Sequence, residues 1–429
     1  MKKPKFQKPL GMHDILPYEQ KYFRKVYDAV QDIAEFYSFG KIDTPVLESA
    51  ELFSKGIGLG TDIVQKEMYH LKTKGGDALA LRPEGTAPIV RAYIEHGMIN
   101  RPQPVKLYYY SPFFRHERPQ AGRYRQFWQF GFEILGEENP IVDAQIIQIF
   151  YGLLMDLGLK NISIEINSIG DKECRPAYRR SLVRYLKSNA ESLCANCKKR
   201  TKENPLRVLD CKEEKCRPVI NGAPQMIDSL CPECKEHFKK VLEYLDEIEL
   251  PYTLEPHLVR GLDYYTRTVF EFFSSEEVTE NKKRLALGGG GRYDYLIRQL
   301  GGRDVTGIGG AFGVERIVQL IKKEGDLSSK RKKTKIFLAQ LGDLAKRKSL
   351  RLAEEFRKTK ILIDESFGKD SLKNQLARAS RIGAEYTVII GQKEALEDTA
   401  IIRNMKSGKQ ETVKFKEVVD KIKKLSKKR

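Results

Sequence analysis

Apolar side chains recur at helical spacing near the start of the chain, within residues 18–39. Residues three and four apart lie on one face of a helix, so the stretch predicts an amphipathic helix that ends at Gly40. Its apolar positions are Tyr22, Val26, Ala29, Val30, Ile33 and Phe36. Residues 42–48 then read as a strand with a proline, Pro45, which indicates an edge or a boundary of a sheet.

Two aromatic strands make residues 107–133 the most informative part of the chain. On an extended chain, side chains two residues apart share a face. Phe113, Arg115 and Glu117 therefore project together at the end of the first strand. On the returning strand one face carries Phe127, Gln129, Gly131 and Glu133. The pattern predicts a hairpin whose arginine and carboxylate groups line one cleft suited to phosphates.

Changes in composition divide the chain into domains. A helical, polar and cysteine-rich stretch interrupts the apolar strand pattern, which returns at Tyr252, so we predict an inserted domain. A charged stretch with Ser328 and Ser329 suits a linker, and apolar strands alternate with helical stretches after it. Those strands are predicted at 336–341, 361–364 and 386–391. The predicted division is a discontinuous core at 1–172 and 254–325, the insertion at 173–253, the linker at 326–334 and a final α/β domain at 335–429.

The charge of the chain is strongly basic, with a formal net charge of +19. From Arg331 to the end there are 27 Lys and Arg against 13 Asp and Glu, so +14 of that charge lies in the last quarter. Such an excess favours contact with nucleic acid or an anionic surface, although a solvated lysine-rich surface is the plain alternative. The start lacks the apolar core of a signal peptide and no run of about 18 apolar residues occurs, so we expect a cytoplasmic protein.

The spacing of the cysteines is typical of metal sites. Cys194 and Cys197 form one C-x2-C pair, and Cys231 and Cys234 form another. Paired knuckles of this kind bind tetrahedral zinc, so these four are the candidate ligands of a structural zinc ion. Cys211 and Cys216 lie between the pairs and Cys174 is left over. Seven reduced thiols are the alternative, and a disulfide is not expected in a reducing compartment.

Two glycine-rich stretches follow the insertion, at 288–292 and 307–316. Neither has the GxGxxG spacing of a dinucleotide fold or the lysine of a P-loop, which argues against both of those folds. Glycines before a helix more often serve packing than catalysis, but they also let backbone approach a nucleotide closely.

Three of these segments resemble the signature motifs of class II aminoacyl-tRNA synthetases. The helix and proline-containing strand resemble the first motif, which lies at the dimer interface in that family. The FRxE hairpin resembles the second motif, and residues 307–316, ending in Gly-x-Glu-Arg, resemble the third. Residues 258–271 (LVRGLDYYTRTVFE) and 285–295 (LALGGGGRYDY) closely match the two signatures of histidyl-tRNA synthetases, and residues 81–86 (LRPEGT) resemble their amino-acid-binding turn.

The resemblance covers nearly the whole chain, since residues 368–375 and 402–405 resemble the anticodon-binding domain of that family. It implies an α+β catalytic core with an antiparallel sheet flanked by helices, a helical insertion and a C-terminal α/β anticodon-binding domain. The implied reaction activates L-histidine with ATP and Mg²⁺, then transfers it to the 3′-hydroxyl of the terminal adenosine of its tRNA. The implied assembly is a homodimer.

The resemblance also assigns the catalytic cations and the ATP site. Arg115 would contact the α-phosphate and the histidine carboxylate, with Arg260 on the opposite side of that phosphate. Arg316 and Phe127 would sandwich the adenine, with Arg316 also reaching toward the outer phosphates. Glu117 would read the adenine edge. Charge develops on phosphate oxygens in the transition state, so cations aimed there should dominate catalysis.

The remaining implied contacts concern histidine and the tRNA acceptor end. The turn and the hairpin would hold the α-amino group and the carboxylate, while tyrosine hydroxyls and a carboxylate address the imidazole. The predicted histidine-binding residues are Glu84, Gly85, Thr86, Arg115, Gln129, Glu133, Arg260, Tyr264 and Tyr265. Arg118, Gln120 and Arg123 would meet the acceptor end of the tRNA. Ala121 departs from the family pattern, because that loop position is often basic in relatives.

Two alternatives stay open from the sequence. The regulatory subunit of ATP phosphoribosyltransferase resembles the same core, but it lacks the last domain. Another class II synthetase, for proline, threonine or glycine, would share the three general motifs but not the segments around Arg260 and Gly288.

Overall fold

The structure is a computed structural model that describes residues 5–120, 122–278, 284–324, 336–366 and 371–427. The predicted linker, Ala121 and the first half of the 368–375 motif lie outside these residues. The chain divides into two compact units, Met1–Leu327 and Ser328–Arg429. Among the described residues, we find no helix with the length and apolar character needed to span a membrane.

The first unit contains a large sheet and a small one. Its strands are β1 (Gly40–Lys41), β2 (Leu47–Ser49), β3 (Tyr69–Lys72), β4 (Ala78–Leu81), β5 (Val105–Phe114), β6 (Gln126–Leu135), β7 (Ile162–Ser168), β8 (Thr253–Leu254), β9 (Thr266–Val278), β10 (Arg284–Arg292) and β11 (Gly307–Gly313). The large sheet has the order β1-β5-β6-β11-β10-β9-β7-β8 and the small one β2-β4-β3. Its inner strands pair antiparallel, while β1 and β8 join the edges in parallel.

Helices flank this sheet, which confirms the predicted fold class. They are α1 (Gln20–Phe36), α2 (Ala50–Ile57), α3 (Thr86–Glu95), α4 (Ile141–Asp156), α5 (Arg175–Ser188), α6 (Ala195–Glu203), α7 (Arg217–Asn221), α8 (Pro232–Glu247), α9 (Leu296–Gln299) and α10 (Val314–Lys323). The predicted first helix is α1, and its buried stripe of Tyr22, Val26, Val30 and Ala34 repeats every four residues. Phe36, predicted on that face, is exposed.

Side chains alternate across the large sheet and form two cores. On β6, Phe130, Phe132 and Ile134 face the core that α1, α4, α8 and α10 complete. On β5, Leu107 and Tyr109 face the opposite core, which contains residues of α3 and α9. The alternation at period two is the pattern on which the hairpin prediction depended. The hairpin is confirmed, with Phe113 opposite Phe127 and Ser111 opposite Gln129.

The predicted strand at 42–48 is wrong as a single element. Lys41 ends β1 at the edge of the large sheet, and Leu47 begins β2 in the small sheet. Between them residues 42–46 form no strand, and Pro45 within this segment has no amide hydrogen to donate to a ladder. The proline therefore separates two edge strands of different sheets.

The cysteine-rich stretch is helical, as its composition predicted. Residues of α5, α6 and α7 surround a buried cluster of their own, to which the cysteines contribute. The following helix, α8, instead packs against α4 and adds Phe238, Val241 and Leu245 to the core of the large sheet. The insertion is thus joined to the sheet through its last helix.

A buried ionic group fixes the end of β10 against α4. Arg292 is fully buried, and its Nη2 donates to Asp143 Oδ2 at 2.7 Å while Nη1 donates to Asp294 Oδ1 at 3.2 Å. His237 Nε2 of α8 lies 3.3 Å from Asp143 Oδ1. Although burial opposes ionisation, Arg292 and His237 hold the pKa of Asp143 down at about 2. The position of the glycine run on β10 therefore depends on this group.

The second unit is an α/β domain with a five-stranded mixed sheet within its described residues. Its strands are β12 (Ile336–Gln340), β13 (Ile363–Glu365), β14 (Tyr386–Ile390), β15 (Thr399–Asn404) and β16 (Gln410–Lys414), and its helices are α11 (Asp343–Lys358), α12 (Leu372–Arg381), α13 (Gln392–Leu396) and α14 (Val418–Lys427). The order is β13-β12-β14-β15-β16. The three predicted strands are present, and β15 and β16 were missed.

Candidate active site

A cavity of about 950 Å³, open solvent included, lies over the face of the large sheet formed by the β5–β6 hairpin, β11 and β10. Most of the predicted site residues form its wall: Glu84, Gly85, Thr86, Arg115, Glu117, Arg123, Phe127, Gln129, Arg260, Tyr264, Tyr265 and Arg316. Segments as far apart in sequence as Glu84 and Arg316 are thereby brought to one place.

Arg115 follows β5, and neighbouring groups hold its guanidinium. Its Nε donates to the Pro83 carbonyl at 2.8 Å, and its Cζ lies 5.4 Å from the centre of the Phe127 ring. Nη1 lies 3.8 Å from Glu117 Oε1. Because Pro83 fixes one edge of the planar fork, the terminal nitrogens remain available to an anion in the cavity.

Arg316 lies in the first turn of α10 and joins three segments. Its Nε donates to the Gly122 carbonyl at 3.1 Å, and its Nη1 donates to the Ala286 carbonyl. Burial and the nearby Arg123 lower the pKa of Arg316 to about 10. The side chain therefore stays charged at neutral pH, and an anion beside it would relieve the repulsion from Arg123.

The Arg260 side chain packs against the glycine run of β10. Its Nη1 is 3.1 Å from Glu271 Oε1, and a Cβ added to Gly289 would lie only 2.7 Å from the same nitrogen. Glycine is therefore required at this position for the guanidinium to cross the strand. Among the described residues, the buried Nε of Arg260 has no hydrogen-bond partner. Arg260 itself lies before β9, which begins at Thr266.

The turn before α3 presents a buried carboxylate to the cavity. Glu84 accepts hydrogen bonds from the backbone nitrogens of Thr86 at 2.7 Å and Ala87 at 2.9 Å. These donors belong to the first turn of α3, so Glu84 caps the helix that follows it. The Tyr264 hydroxyl donates to Glu84 Oε2 at 3.3 Å. Burial raises the pKa of Glu84, so a cation in the cavity would favour its charged form.

Besides Arg260 Nε, two polar atoms at the wall have no hydrogen-bond partner among the described residues. They are Gln129 Oε1 and the hydroxyl of Tyr109, and both are buried. A buried polar atom without a partner costs about 1–3 kcal/mol. Both side chains line the cavity, so a bound ligand with polar groups would supply the missing partners.

Glu133 lies behind the wall and not in it. Its Oε1 accepts from the Thr86 hydroxyl at 2.8 Å and its Oε2 from the Tyr293 hydroxyl at 2.6 Å. A Cβ at Gly309 would lie 1.7 Å from Oε2, so the carboxylate occupies the space that this glycine leaves. Burial raises the pKa of Glu133 to about 8. Its influence on a ligand would pass through Thr86.

Stability should depend on pH through Glu133. Below about pH 4.5 the carboxyl is protonated in the folded and unfolded chain, and the folded chain keeps its proton until the pH rises through about 8. The contribution of Glu133 to the free energy of unfolding is therefore complete at low pH. It falls by up to about 1.4 kcal/mol per pH unit between the pKa of the unfolded chain and that of the folded chain. We expect Glu133→Gln, which does not titrate, to show a shallower loss of unfolding free energy in urea titrations from about pH 5.5 to about pH 8.5. Equal slopes in the two proteins would contradict this.

Some predicted residues are placed elsewhere. Arg118 and Gln120 lie in the loop after β5, exposed and outside the cavity wall. In the third motif, added Cβ atoms at Gly307 and Gly310 would meet Tyr293 and Phe150, so these glycines serve packing. Of that glycine run, only Gly313 lines the cavity.

The sequence-based prediction missed several wall residues and supports. Glu271 pairs with Arg260, Tyr109 lies under Gly85 and Gly131, and Glu315 accepts from the Trp128 nitrogen with both oxygens. Burial raises the pKa of Glu315 to about 7. Period-two alternation could have indicated Glu271, since it shares a strand face with Val269 and Phe273. No sequence signal indicates the side of the cavity on which Tyr109 lies.

The predicted zinc ligands do not form one site. Cys194 and Cys197 cluster with Cys211 and Cys216, whereas Cys231 and Cys234 cluster with Asp171 and Cys174. The two C-x2-C pairs begin different helices, α6 and α8, which carries them to separate places. The grouping of Cys194, Cys197, Cys231 and Cys234 is therefore wrong, although both pairs lie in clusters that could hold a metal ion.

Comparisons with known proteins agree with this geometry. The family described as Histidyl-tRNA synthetase matches residues 11–317, and the one described as Anticodon binding domain matches residues 335–425. A histidine–tRNA ligase of Dehalococcoides mccartyi is 46% identical over 419 residues, covering 98% of this chain and 99% of the relative. One from Aquifex aeolicus is 46% identical over 408 residues, covering 95% and 98%.

A solved structure gives the same result. The apo histidyl-tRNA synthetase of S. aureus has a TM-score of 0.78 and 36% sequence identity, covering 97% of this chain and 99% of that chain. The fold, the cavity with its three arginines and the near full-length sequence match therefore agree: this chain belongs to the histidyl-tRNA synthetase family.

Proposed function

We propose that the cavity is the site at which this chain activates L-histidine with ATP and passes the histidine to its tRNA. Family membership over nearly the whole chain supports the histidine–tRNA ligase activity. One observation carries the assignment to this cavity. Arg115, Arg260 and Arg316 converge on it from three segments, and the Glu84 turn forms another part of the same wall.

The first step needs fixed positive charge around one phosphorus atom. An oxygen of the histidine carboxylate attacks the α-phosphorus of ATP, the bond to the bridging oxygen breaks, and pyrophosphate leaves. Arg115 would bind the α-phosphate and the histidine carboxylate, with Arg260 on the other side of that phosphate. Their fixed positions support this, because Pro83 holds Arg115 and Glu271 holds Arg260. Donors that need no reorientation stabilise developing charge most strongly.

The adenine would lie between Phe127 and Arg316. An aromatic ring and a planar guanidinium provide two flat faces for a base. Glu117 would read the adenine edge, and Arg316 would also reach the outer phosphates. Mg²⁺ accompanies ATP and neutralises phosphate charge, and a wall carboxylate such as Glu271 offers the hard oxygen ligand that Mg²⁺ prefers.

The histidine would lie at the part of the wall formed by Glu84. Glu84, Thr86 and Gln129 would hold the α-ammonium, with Gly85 allowing the close approach. The unpartnered Gln129 Oε1 and the buried Glu84 carboxylate support this, since both accept from a cation. Tyr264 and Tyr265 would contact the imidazole, and Glu133 would act on it through Thr86.

A tyrosine-to-phenylalanine change tests the imidazole assignment. Tyr265 lines the cavity and is nearly fully buried, and burial raises its pKa to about 12, so its hydroxyl stays a neutral donor. We expect Tyr265→Phe to lower kcat/KM for histidine by about tenfold, the effect of one hydrogen bond, while KM for ATP stays nearly constant. Tyr295→Phe, outside the wall, is the control. An equal rise in both KM values would argue for a general packing defect.

Transfer to tRNA would use the loop between β5 and β6, of which Arg123 also lines the cavity. Arg118, Gln120 and Arg123 would meet the acceptor end, and the exposure of all three supports this. Residues 335–429 would bind the anticodon, and their basic surplus suits a phosphate backbone. Transfer itself forms an ester between the histidine carbonyl carbon and the 3′-hydroxyl as AMP leaves.

The organisation around the site remains a proposal. We infer a catalytic core at 1–172 and 254–325, an insertion at 173–253, a linker at 326–334 and an anticodon-binding domain at 335–429. We also propose a cytoplasmic homodimer that contacts through the first-motif segment, where Val46 and Leu47 are exposed apolar residues. A structural zinc ion at Cys194, Cys197, Cys211 and Cys216 is supported by the 3.9 Å between the sulfurs of Cys194 and Cys211.

Charging of tRNA with labelled histidine tests the function. The chain should esterify histidine to its tRNA in an ATP-dependent reaction, and an excess of the other amino acids should not compete. Charging with another amino acid would contradict the assignment, as would histidine binding without charging. The regulatory alternative predicts the second outcome, and it is not favoured because the relatives named as ligases match this chain almost end to end.

A further inference from the structure

The seven cysteines of the chain are fully accounted for by two clusters. Four form the Cys194 cluster described above. The other three, Cys174, Cys231 and Cys234, meet the carboxylate of Asp171, with all candidate ligand atoms within 4.8 Å of one another. Three of these four groups are buried, and all three thiols are free. Buried thiols that bind no ligand are not expected to cluster around a carboxylate in this way.

The spacing within this second cluster fits a tetrahedral ion. Zinc bonds of about 2.3 Å to sulfur and about 2.0 Å to oxygen would separate a sulfur and an oxygen ligand by about 3.5 Å. Asp171 Oδ1 lies 3.5 Å from the Cys174 sulfur and 4.0 Å from the Cys231 sulfur. The four groups are thus already arranged as ligands before any ion is added.

Two helix starts and a tight loop bring the ligands of the cluster together. Cys174 and Cys231 occupy the caps at the N-termini of α5 and α8, and Cys234 lies in the first turn of α8. The Asp171 nitrogen donates to the Cys174 sulfur at 3.3 Å. An added Cβ on Gly170 would lie 2.5 Å from that sulfur, and its φ of +61° also suits glycine, so the loop wraps closely around the cluster.

Neighbouring cations complete the site. Three thiolates and a carboxylate exceed the charge of a divalent ion by two, so the loaded site would be anionic. Arg267 Nη2 lies 3.5 Å from Asp171 Oδ2, and Arg175 directly follows Cys174. These arginines would offset the excess and orient the ligands from outside, as supporting groups of metal sites do.

We propose that Asp171, Cys174, Cys231 and Cys234 bind a second structural zinc ion that ties the insertion to the catalytic sheet. Asp171 follows β7, a strand of the large sheet, while Cys231 and Cys234 begin α8 at the far end of the insertion. One ion would therefore cross-link segments about 60 residues apart.

The ion would also position the histidine pocket. Arg175 Nε donates to the Ile169 carbonyl at 3.0 Å, and Arg175 Nη2 donates to the Tyr265 carbonyl. The loop that holds Asp171 is thereby attached to the backbone of Tyr265. This link rests on the proposed function, because it takes Tyr265 as an imidazole contact. The metal site itself does not depend on it.

Zinc analysis of the full-length chain, purified and washed with a chelator, tests the site. We expect about two zinc ions per chain, falling to about one in Cys234→Ser and in Asp171→Ala. Cys197→Ser should remove the ion of the Cys194 cluster instead. Glu173→Gln changes an exposed neighbour of Cys174 and should remove neither ion. A native content of about one that Asp171→Ala leaves unchanged would overturn the proposal, as would iron in place of zinc.

The variant Asp171→Cys distinguishes a role of Asp171 as a zinc ligand from a role as the ion-pair partner of Arg267. A fourth thiolate can bind zinc but cannot replace the ion pair with Arg267 in a metal-free site, so we expect this variant to keep both ions. Loss of zinc from Asp171→Cys would overturn the role of Asp171 as a ligand. In exchange assays Asp171→Ala should raise KM for histidine about tenfold with little change for ATP. An unchanged KM despite lost zinc would overturn the link to Tyr265, and a native chain without exchange would instead count against the proposed function.

Discussion

Replacing Arg115 by glutamine should lower kcat for histidine-dependent ATP–pyrophosphate exchange by about 10²–10³-fold. The guanidinium is fixed by the Pro83 carbonyl and the Phe127 ring, so its terminal nitrogens are ready to bind phosphate oxygens as charge develops on them. Glutamine retains a polar donor but not the charge or the planar fork. Because this interaction strengthens in the transition state, kcat should fall more than KM for ATP rises.

Two further variants show whether that loss is due to the missing guanidinium. Arg115→Lys should recover only part of the loss, since an ammonium cannot bind two oxygens in parallel. Arg298→Gln removes an exposed arginine outside the cavity and should leave exchange within about twofold of the native value. An Arg115→Gln chain that folds normally and keeps exchange within about tenfold would refute the assignment of this cation.

Replacing Arg292 by leucine should lower the free energy of unfolding by about 3–5 kcal/mol. Arg292 and Asp143 are both fully buried, and the variant leaves the Asp143 carboxylate without its main partner. Asp294 and the carbonyl of Glu137 would also lose a donor. Urea unfolding followed by circular dichroism measures the change, with Arg298→Leu as the exposed control.

A double variant identifies the cause of that loss. Arg292→Leu with Asp143→Leu removes the unpaired charge, so it should be more stable than Arg292→Leu alone. If the single variant loses less than about 1 kcal/mol, water or His237 must already satisfy Asp143, and the group would not be the support of β10 that its burial indicates.

The large sheet was predictable where its strands alternate. Residues 105–135 carry a period-two pattern that only a half-buried or sandwiched hairpin satisfies, and β5 and β6 follow it. The segment 410–414 gave no such signal, because β16 is an exposed edge with Val413 as its one apolar residue. Residues 42–48 failed for another reason, since irregular backbone around Pro45 divides two strands that belong to different sheets.

The site was predictable as a set of residues but not as a set of contacts. Motif resemblance selected the arginines that converge on the cavity, yet it did not indicate that Glu133 lies behind the wall or that Glu271 pairs with Arg260. Such pairings depend on register and on which glycines leave space for a neighbour, as Gly289 does for Arg260. Sequence spacing contains neither kind of information.

The cysteines illustrate the same limit. Spacing within each C-x2-C pair predicted ligands, but the partners of each pair come from residues that the fold brings near. Asp171 lies three residues before Cys174 and about 60 before Cys231, and no ligand pattern in the sequence marks it. Helix packing decides that assignment.

ATP–pyrophosphate exchange with each amino acid in turn tests the central claim most directly. We expect exchange with histidine alone, because Glu84, Gln129 and the two tyrosines line the same cavity as the three arginines, where we propose that they bind the amino acid. Exchange driven by another amino acid, or none from a folded chain that binds histidine, would contradict it.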